Sequence, residues 1–316
     1  MSDWHPGLSR DGLRARAALL AQLRAFFAGR DVLEVDTPVL SAFGVTDPHI
    51  EPLITEVPGR PPRFLQTSPE FAMKRLLANG SGDIYQLGKV FRYGEEGGRH
   101  NPEFTMLEWY RLGFSLDDLI DEVRQLVSDV LGISSSAIYC YRDLFREVLD
   151  LDPFTASTPA LAQCAREHVD LAAESLSRDD WLDLLMSHCV EPALCGKGLV
   201  FVRDYPPTQA ALARCSGAGD DRVAERFELY VDGLELANGY HELCDPVELQ
   251  RRAAADNARR RALGREPRQL DGRLVAAMEA GLPDCSGVAL GVDRLFMLQR
   301  GERRIGDVLP FAWERA

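Results

Sequence analysis

No run of about 18 apolar residues occurs anywhere in this 316-residue chain, and its N-terminus lacks a hydrophobic signal core. Neither a membrane-spanning helix nor a secretory leader is expected. Cysteine is sparse and unpatterned. Seven are present, an odd number, with no Cys-x-x-Cys pair, which argues against a disulfide framework and a structural zinc site. Reduced thiols in a soluble, cytoplasmic protein are the expectation. Positive charge is also short: 36 lysines and arginines face 49 acidic residues, a formal net charge of −13. That sign disfavours broad binding to a polyanion such as nucleic acid. Internal repeats and low-complexity segments are absent. What remains is ordinary globular composition, 46% hydrophobic and 27% charged, in a chain long enough to bury a substantial core.

Residues 1–9 read as a loose terminus. Leu13, Ala17, Leu20, Leu23 and Phe27 recur at helical spacing and stop at Gly29,. Short strands are expected at Val32–Val35 and Phe64–Gln66, then a helix with Ser68 as N-cap and Pro69 in its first position,. Ile84–Arg92 and Phe104–Arg111 read as a hairpin whose long loop, Tyr93–Pro102, is rich in glycine and charge,. Ser115–Leu131 is an amphipathic helix closed by Gly132. The stretch 133–210 reads as mostly short helices, with a strand at Phe201–Tyr205. Asp245-Pro246 opens an arginine-rich helix, and Gly287–Leu290 is a strand that turns into a helix at Gly291-Val292-Asp293-Arg294. Hairpins with helices grouped around them indicate an α+β fold with a mostly antiparallel sheet.

Three constellations carry chemistry. In RFELYVDGLELANGYHEL, Arg226–Leu243, the pair Asp232-Gly233 between two alternating apolar runs predicts a type I′ turn,. Val231 then pairs with Leu234, Tyr230 with Glu235 and Glu228 with Ala237. Glu228 and Glu235 fall on one face, a diagonal step apart, and repel unless a cation lies between them. From the hairpin alone, a divalent-cation site and an exposed acidic face stand level. The second constellation is Arg92, Arg99, His100, Asn101 and Phe104, where a guanidinium fork can meet phosphate and a ring can stack on a base. The third is Arg294 after Gly287 and Gly291. Two further sets are weaker. Cys164, His168, His188 and Cys189 suit core or surface positions better than metal ligation. Arg251, Arg252, Arg259, Arg260, Arg261, Arg265 and Arg268 read first as a solvated face, and second as a docking surface for an acidic acceptor centred on Arg259 and Arg260.

Taken together, the motifs carry a resemblance. Phe91-Arg92 with Arg99-His100-Asn101-Pro102-Glu103-Phe104-Thr105-Met106-Leu107-Glu108 resembles motif 2 of class II aminoacyl-tRNA synthetases in their lysyl form. Gly287–Leu295 (GVALGVDRL) resembles motif 3, and Phe27–Pro38 (FAGRDVLEVDTP) motif 1 with its dimer-interface proline. Order and spacing agree over about residues 12–310, with Thr67-Ser68-Pro69-Glu70 and the glutamate hairpin in place. PEFTMLEWYR, RVAERFELY, ELANGYHEL and PDCSGVALGVDRL are similar to the paralogues of lysyl-tRNA synthetase that ligate lysine to elongation factor P. A single catalytic domain over 1–316 is therefore expected, with 133–210 as a helical insertion and no OB-fold anticodon reader ahead of Leu13.

The resemblance implies ATP-dependent activation of lysine or β-lysine as an adenylate, and transfer to the ε-amine of a lysine on elongation factor P. By motif position, Arg92 would hold the α-phosphate, Arg99 and Arg294 the β/γ end, and Phe104 the adenine. His100, Asn101, Leu236 and Gly291 would complete the ATP site, and Glu228 and Glu235 would share Mg2+. Glu70, with Ser68 and Pro69, would take one substrate ammonium, while Glu108, Tyr110 and Glu242 surround the other. A homodimer through motif 1 is implied, with neither tRNA nor membrane as partner. A lysyl-tRNA synthetase that charges tRNA without its own anticodon reader, and a non-catalytic regulator, are the alternatives. Two departures stand out. Tyr93-Gly94 follow Arg92 where the lysyl form has Asn-Glu, so Glu95 comes one place late. Ala289 replaces a glycine of motif 3, which favours β-lysine over α-lysine by reshaping the pocket wall.

Overall fold

The structure, a computed structural model, describes residues 4–170 and 176–316. The chain folds as two compact units, Met1–Gly113 with Cys244–Ala316, and Phe114–Leu243. The second unit is broader than the expected insertion at 133–210 and takes in the whole glutamate hairpin. Residues 171–175 of that insertion, and 1–3 of the expected loose terminus, lie outside the described residues.

In the first unit, helix Arg10–Ala28 starts at Ser9, whose hydroxyl accepts from Gly12 N at 3.2 Å, and stops at Gly29. Its buried face carries Leu19, Leu23, Phe26 and Phe27. Phe27 stacks on Tyr85 at 4.5 Å and meets Trp109 edge-on at 5.2 Å, which seats the helix on a sheet. There, strand Glu103–Leu112 is flanked by antiparallel Ile84–Phe91 on one side and Cys285–Gly291 on the other. Leu33–Glu34 adds a short parallel edge to Ile84–Phe91. A separate three-stranded sheet joins Leu40–Ser41, Arg63–Leu65 and Ile54–Thr55. Because side chains alternate along a strand, Trp109 on the helix side puts Leu107 and Thr105 there too. Phe104, Met106, Glu108 and Tyr110 line the opposite face.

The second unit begins with helix Leu116–Leu131, opened by a Ser115/Asp118 capping box and closed by Gly132 in the left-handed conformation,. Strands Leu234–His241, Val223–Val231 and Leu199–Tyr205 pair antiparallel in that order, and Ser136–Cys140 joins the last in parallel. Helices Tyr141–Leu149, Thr158–His168 and Arg178–Leu185 build a core of Tyr141, Phe145, Leu161, Trp181 and Leu185 against Val200 and Tyr230. The α+β expectation holds. The strand Ser136–Cys140, within a stretch read as helical, is a five-residue edge of alternating exposure held by its pairing with Leu199–Tyr205. No helix among the described residues is long and apolar enough to cross a membrane.

The Asp232-Gly233 turn forms as expected, with φ of 50° and 67°, and Val231 and Tyr230 face Leu234 and Glu235. The register then slips. Leu229 faces Ala237 and Glu228 faces Asn238, not Ala237, because a bulge leaves Leu236 without a partner across the ladder,. Residue spacing carries no sign of that extra residue. A Cβ at Gly233 would sit 2.8 Å from the Glu191 carbonyl oxygen. Gly233→Ala should therefore destabilise the protein by roughly 1–3 kcal/mol in urea unfolding, while a solvent-facing Gly→Ala change without positive φ would be close to neutral.

Candidate active site

On the face of the first sheet opposite helix Arg10–Ala28, one glutamate is central. Glu108 is 3% exposed. Across the ladder it faces Gln86 on one neighbour and Ala289 on the other. Ser68 Oγ donates to its Oε2 at 2.7 Å, and Tyr110 Oη donates to its Oε1 at 2.7 Å. Ser68 also accepts from Glu70 N at 3.0 Å, so it both starts helix Glu70–Ala78 and fixes the glutamate. The helix begins one residue later than expected, with Pro69 as its N-cap. Lys74, buried one turn on, puts its Nζ 2.6 Å from Glu70 Oε1. Burial, and then the Glu70 carboxylate, push the Glu108 carboxyl up to about 7; Tyr110, Ser68 and Lys74 pull the other way,.

The rest of this face combines small residues, an aromatic ring and two guanidinium groups. Gly287, Ala289 and Gly291 stand opposite Tyr110, Glu108 and Met106, so the flanking strand offers only small groups there. Phe104 lies at the other end of the row, with the Arg92 guanidinium 5.2 Å from its ring centre,. Arg92 Nε donates to Thr67 O at 3.3 Å and its Nη1 lies 3.4 Å from Glu95 Oε1. Glu95, one place late in the motif, thus pairs with the arginine. From helix Val292–Arg300, Arg294 Nε reaches Arg99 O at 3.4 Å and Nη2 reaches His100 Nε2 at 2.7 Å. A guanidinium can only donate, so that imidazole nitrogen accepts. Partial burial and then the Arg294 charge hold the His100 pKa below its usual value. Asn101 is buried, donating to Glu103 O at 2.6 Å and accepting from Trp313 N at 2.9 Å. Its amide braces the loop.

Glu228, Glu235, Leu236 and Glu242 belong to the second unit. The structure commits Glu228 to other groups. Its Oε1 is salt-bridged to Arg226, and its Oε2 accepts from Tyr205 at 2.7 Å and from Tyr230. Burial and the Glu228 charge raise both tyrosine pKa values far above the usual, so both hydroxyls remain donors. A carboxylate neutralised in this way is a poor partner for a hard cation. Glu235 faces Tyr230 across the ladder, Leu236 is buried at the bulge, and Glu242 is buried where it bridges Ala213. Among the described residues no group of three or more His, Cys, Asp or Glu side chains comes together to hold a metal.

Four supporting residues were not legible as site residues in the sequence. Lys74 had a signal, since Glu70 and Lys74 are four apart on a helix. Asp293 and Arg16 had none. Asp293, 1% exposed, accepts from Thr105 N at 2.7 Å and meets Arg16 Nη2 at 2.6 Å. Glu51 corrects the docking expectation at Arg260 and Arg268. Arg260 is 1% exposed; its Nη2 lies 2.5 Å from Glu51 Oε1, and Arg268 Nη2 lies 3.1 Å from Oε2. Glu51 O in turn accepts from Tyr93 N at 2.7 Å, so these arginines anchor the start of the loop that follows Arg92. Arg251 and Arg252 pair with Glu248.

An arginine just past a strand and beside an aromatic ring, a second arginine from a strand-to-helix turn, and a buried carboxylate on the same face are the marks of a class II synthetase core. The family described as tRNA synthetases class II (D, K and N) matches residues 7–315, and the chain belongs to it. It is 49% identical over 324 residues to the elongation factor P–(R)-beta-lysine ligase of Vibrio cholerae, covering 100% of this chain and 99% of that protein. It is 47% identical to the ligases of the same name from Haemophilus influenzae strain PittGG, with the same coverage, and Pasteurella multocida, at 99% and 98%.

Two measurements test this arrangement. The Glu108 carboxyl holds its proton in the native state between the ordinary 4.5 and about 7, so its contribution to stability is complete below pH 4.5 and is lost as pH rises through 7. Glu108→Gln should remove that slope. Its unfolding free energy should gain on the wild type across that window, by on the order of 1.4 kcal/mol for each pH unit crossed, and run parallel below. Arg260→Met should cost about 3 kcal/mol in urea unfolding, because it removes a buried donor to Glu51 Oε1 and to the Asp47 and Glu266 carbonyls,, whereas a docking arginine would leave stability unchanged.

Proposed function

We propose that this protein uses ATP to activate a lysine-type amino acid, (R)-β-lysine in preference, and ligates it to the ε-amine of a lysine on elongation factor P. The observation that carries this reading is the buried pair Glu108 and Tyr110 on the same sheet face as Phe104 and Arg92. A cation-binding pocket and a nucleotide platform share one strand, and relatives of full length bear that ligase name.

In this reading the amino acid's carboxylate attacks the α-phosphate of ATP, giving an aminoacyl-adenylate and pyrophosphate. The acceptor amine then attacks the acyl carbon and AMP leaves. Such a reaction needs positioned charge more than a protein nucleophile. Arg92 receives the α-phosphate, and exchanging Glu95 for phosphate frees its fork. Arg294 and Arg99 take the β/γ end, Phe104 stacks on adenine, and His100 and Asn101 shape the loop around it. The small surface at Gly291 admits the nucleotide. Glu70 takes one substrate ammonium, with Ser68 and Pro69 fixing its place, and Glu108, Tyr110 and Glu242 take the other. Ala289, directly across from Glu108, supports a preference set by one methyl group.

Mg2+, when bound, would offset repulsion between phosphates and carboxylate. Glu235 would supply a carboxylate to hold it. Glu228 is assigned instead to holding Arg226. Both units are assigned to one catalytic domain working in the cytoplasm. The exposed apolar side chains Leu13, Leu33, Val39, Leu40 and Ile54, which lie in sequence around motif 1, support a homodimer.

ATP–pyrophosphate exchange with α-lysine, (S)-β-lysine and (R)-β-lysine, followed by transfer to purified elongation factor P or to tRNA, tests the reading. Exchange should be fastest with (R)-β-lysine, with transfer to the protein alone. Arg294→Ala should lower kcat/KM for ATP by about 10²–10³-fold. No exchange with any of the three would sink it.

A further inference from the structure

We propose that Asp293 and Arg16 are positioning residues for Arg294, through which the first helix of the chain sets the grip on the outer phosphates of ATP. This rests on the role given to Arg294 above. Strand Cys285–Gly291 keeps register with Glu103–Leu112 as far as Gly291 opposite Met106. One more step would set Val292 opposite Thr105. The chain turns into helix Val292–Arg300 instead, and the Thr105 N–H is taken by Asp293 Oδ2 at 2.7 Å. That bond fixes where the helix leaves the sheet, one residue before Arg294.

Arg16 holds the carboxylate from the other side. Its Nη2 lies 2.6 Å from Asp293 Oδ1 and 2.9 Å from Thr105 Oγ1, and its guanidinium sits 5.9 Å from the ring centre of Phe296 on the same helix as Arg294. Arg16 is 8% exposed and Asp293 1%. Thr105 is on the helix side of the sheet, away from Phe104 and Glu108, so this pair does not touch the nucleotide. Its effect reaches the site through the first turn of the helix, and a small rotation there is amplified at the end of a long side chain.

A double-mutant cycle separates positioning from general support. Wild type, Asp293→Asn, Arg294→Ala and the double variant are compared for KM of ATP, KM of the amino acid and kcat in pyrophosphate exchange, with thermal melts. Calorimetric ATP binding runs the same cycle without activity. Asp293→Asn should weaken ATP by about tenfold, leave KM for the amino acid unchanged, and add nothing once Arg294 is gone. Additive losses, or equal losses for ATP and amino acid, overturn the proposal. Arg16→Lys keeps the charge but loses the fork. It should act in the same direction by a smaller factor, and it carries the cycle should Asp293→Asn not melt cooperatively. A wild type that binds ATP but exchanges no pyrophosphate overturns the assigned activity and leaves the binding cycle to judge the positioning.

Discussion

One buried carboxylate ties the first unit together. Asp293 takes the backbone N–H that a sheet loses when its neighbouring strand becomes a helix, and Arg16 neutralises its charge from the first helix of the chain. An aspartate this deep is tolerated only when a counter-charge lies beside it, and removing a partner from such a pair typically costs roughly 3–5 kcal/mol. The consequence is geometric. The strand bearing Phe104 and Glu108, the helix bearing Arg294, and the helix whose far end packs Phe27 on Trp109 cannot shift independently.

The same alternation that sends Trp109 into the core sends Glu108 and Tyr110 to the opposite face. Burial there makes the glutamate hard to ionise, while two hydroxyls and the nearby Lys74 ease it back. A carboxyl held in this way would ionise more readily beside a further positive charge, since that charge would replace what water would have supplied. Opposite, Gly287, Ala289 and Gly291 present only small groups.

Charge in the second unit is handled differently. The Glu228 carboxylate is enclosed by Arg226, Tyr205 and Tyr230, whereas Glu235 stands half-buried opposite Tyr230 on the neighbouring strand. In the arginine-rich segment the same distinction appears. Arg260 is internal and Arg251 surface-exposed, although both sit on one helix.

Sequence alone determined what local chemistry can decide. Ser9, Ser115, Ser157, Ser177 and Asp245 start helices by accepting nearby backbone N–H groups, and Asp232-Gly233 makes the turn its φ values require. The motif residues were legible for the same reason, as fixed side-chain types at short spacing. The α+β class followed from their order. Tertiary structure alone decided the partners. Asp293 finds Thr105 across 188 residues and Arg260 finds Asp47 across 213. No spacing rule reaches that far. The bulge that leaves Leu236 unmatched, and the hydroxyls that close around Glu228, depend on which strands meet and with what register. Backbone preference acts over a few residues, whereas the neutralisation of a buried charge depends on whatever the completed fold brings beside it.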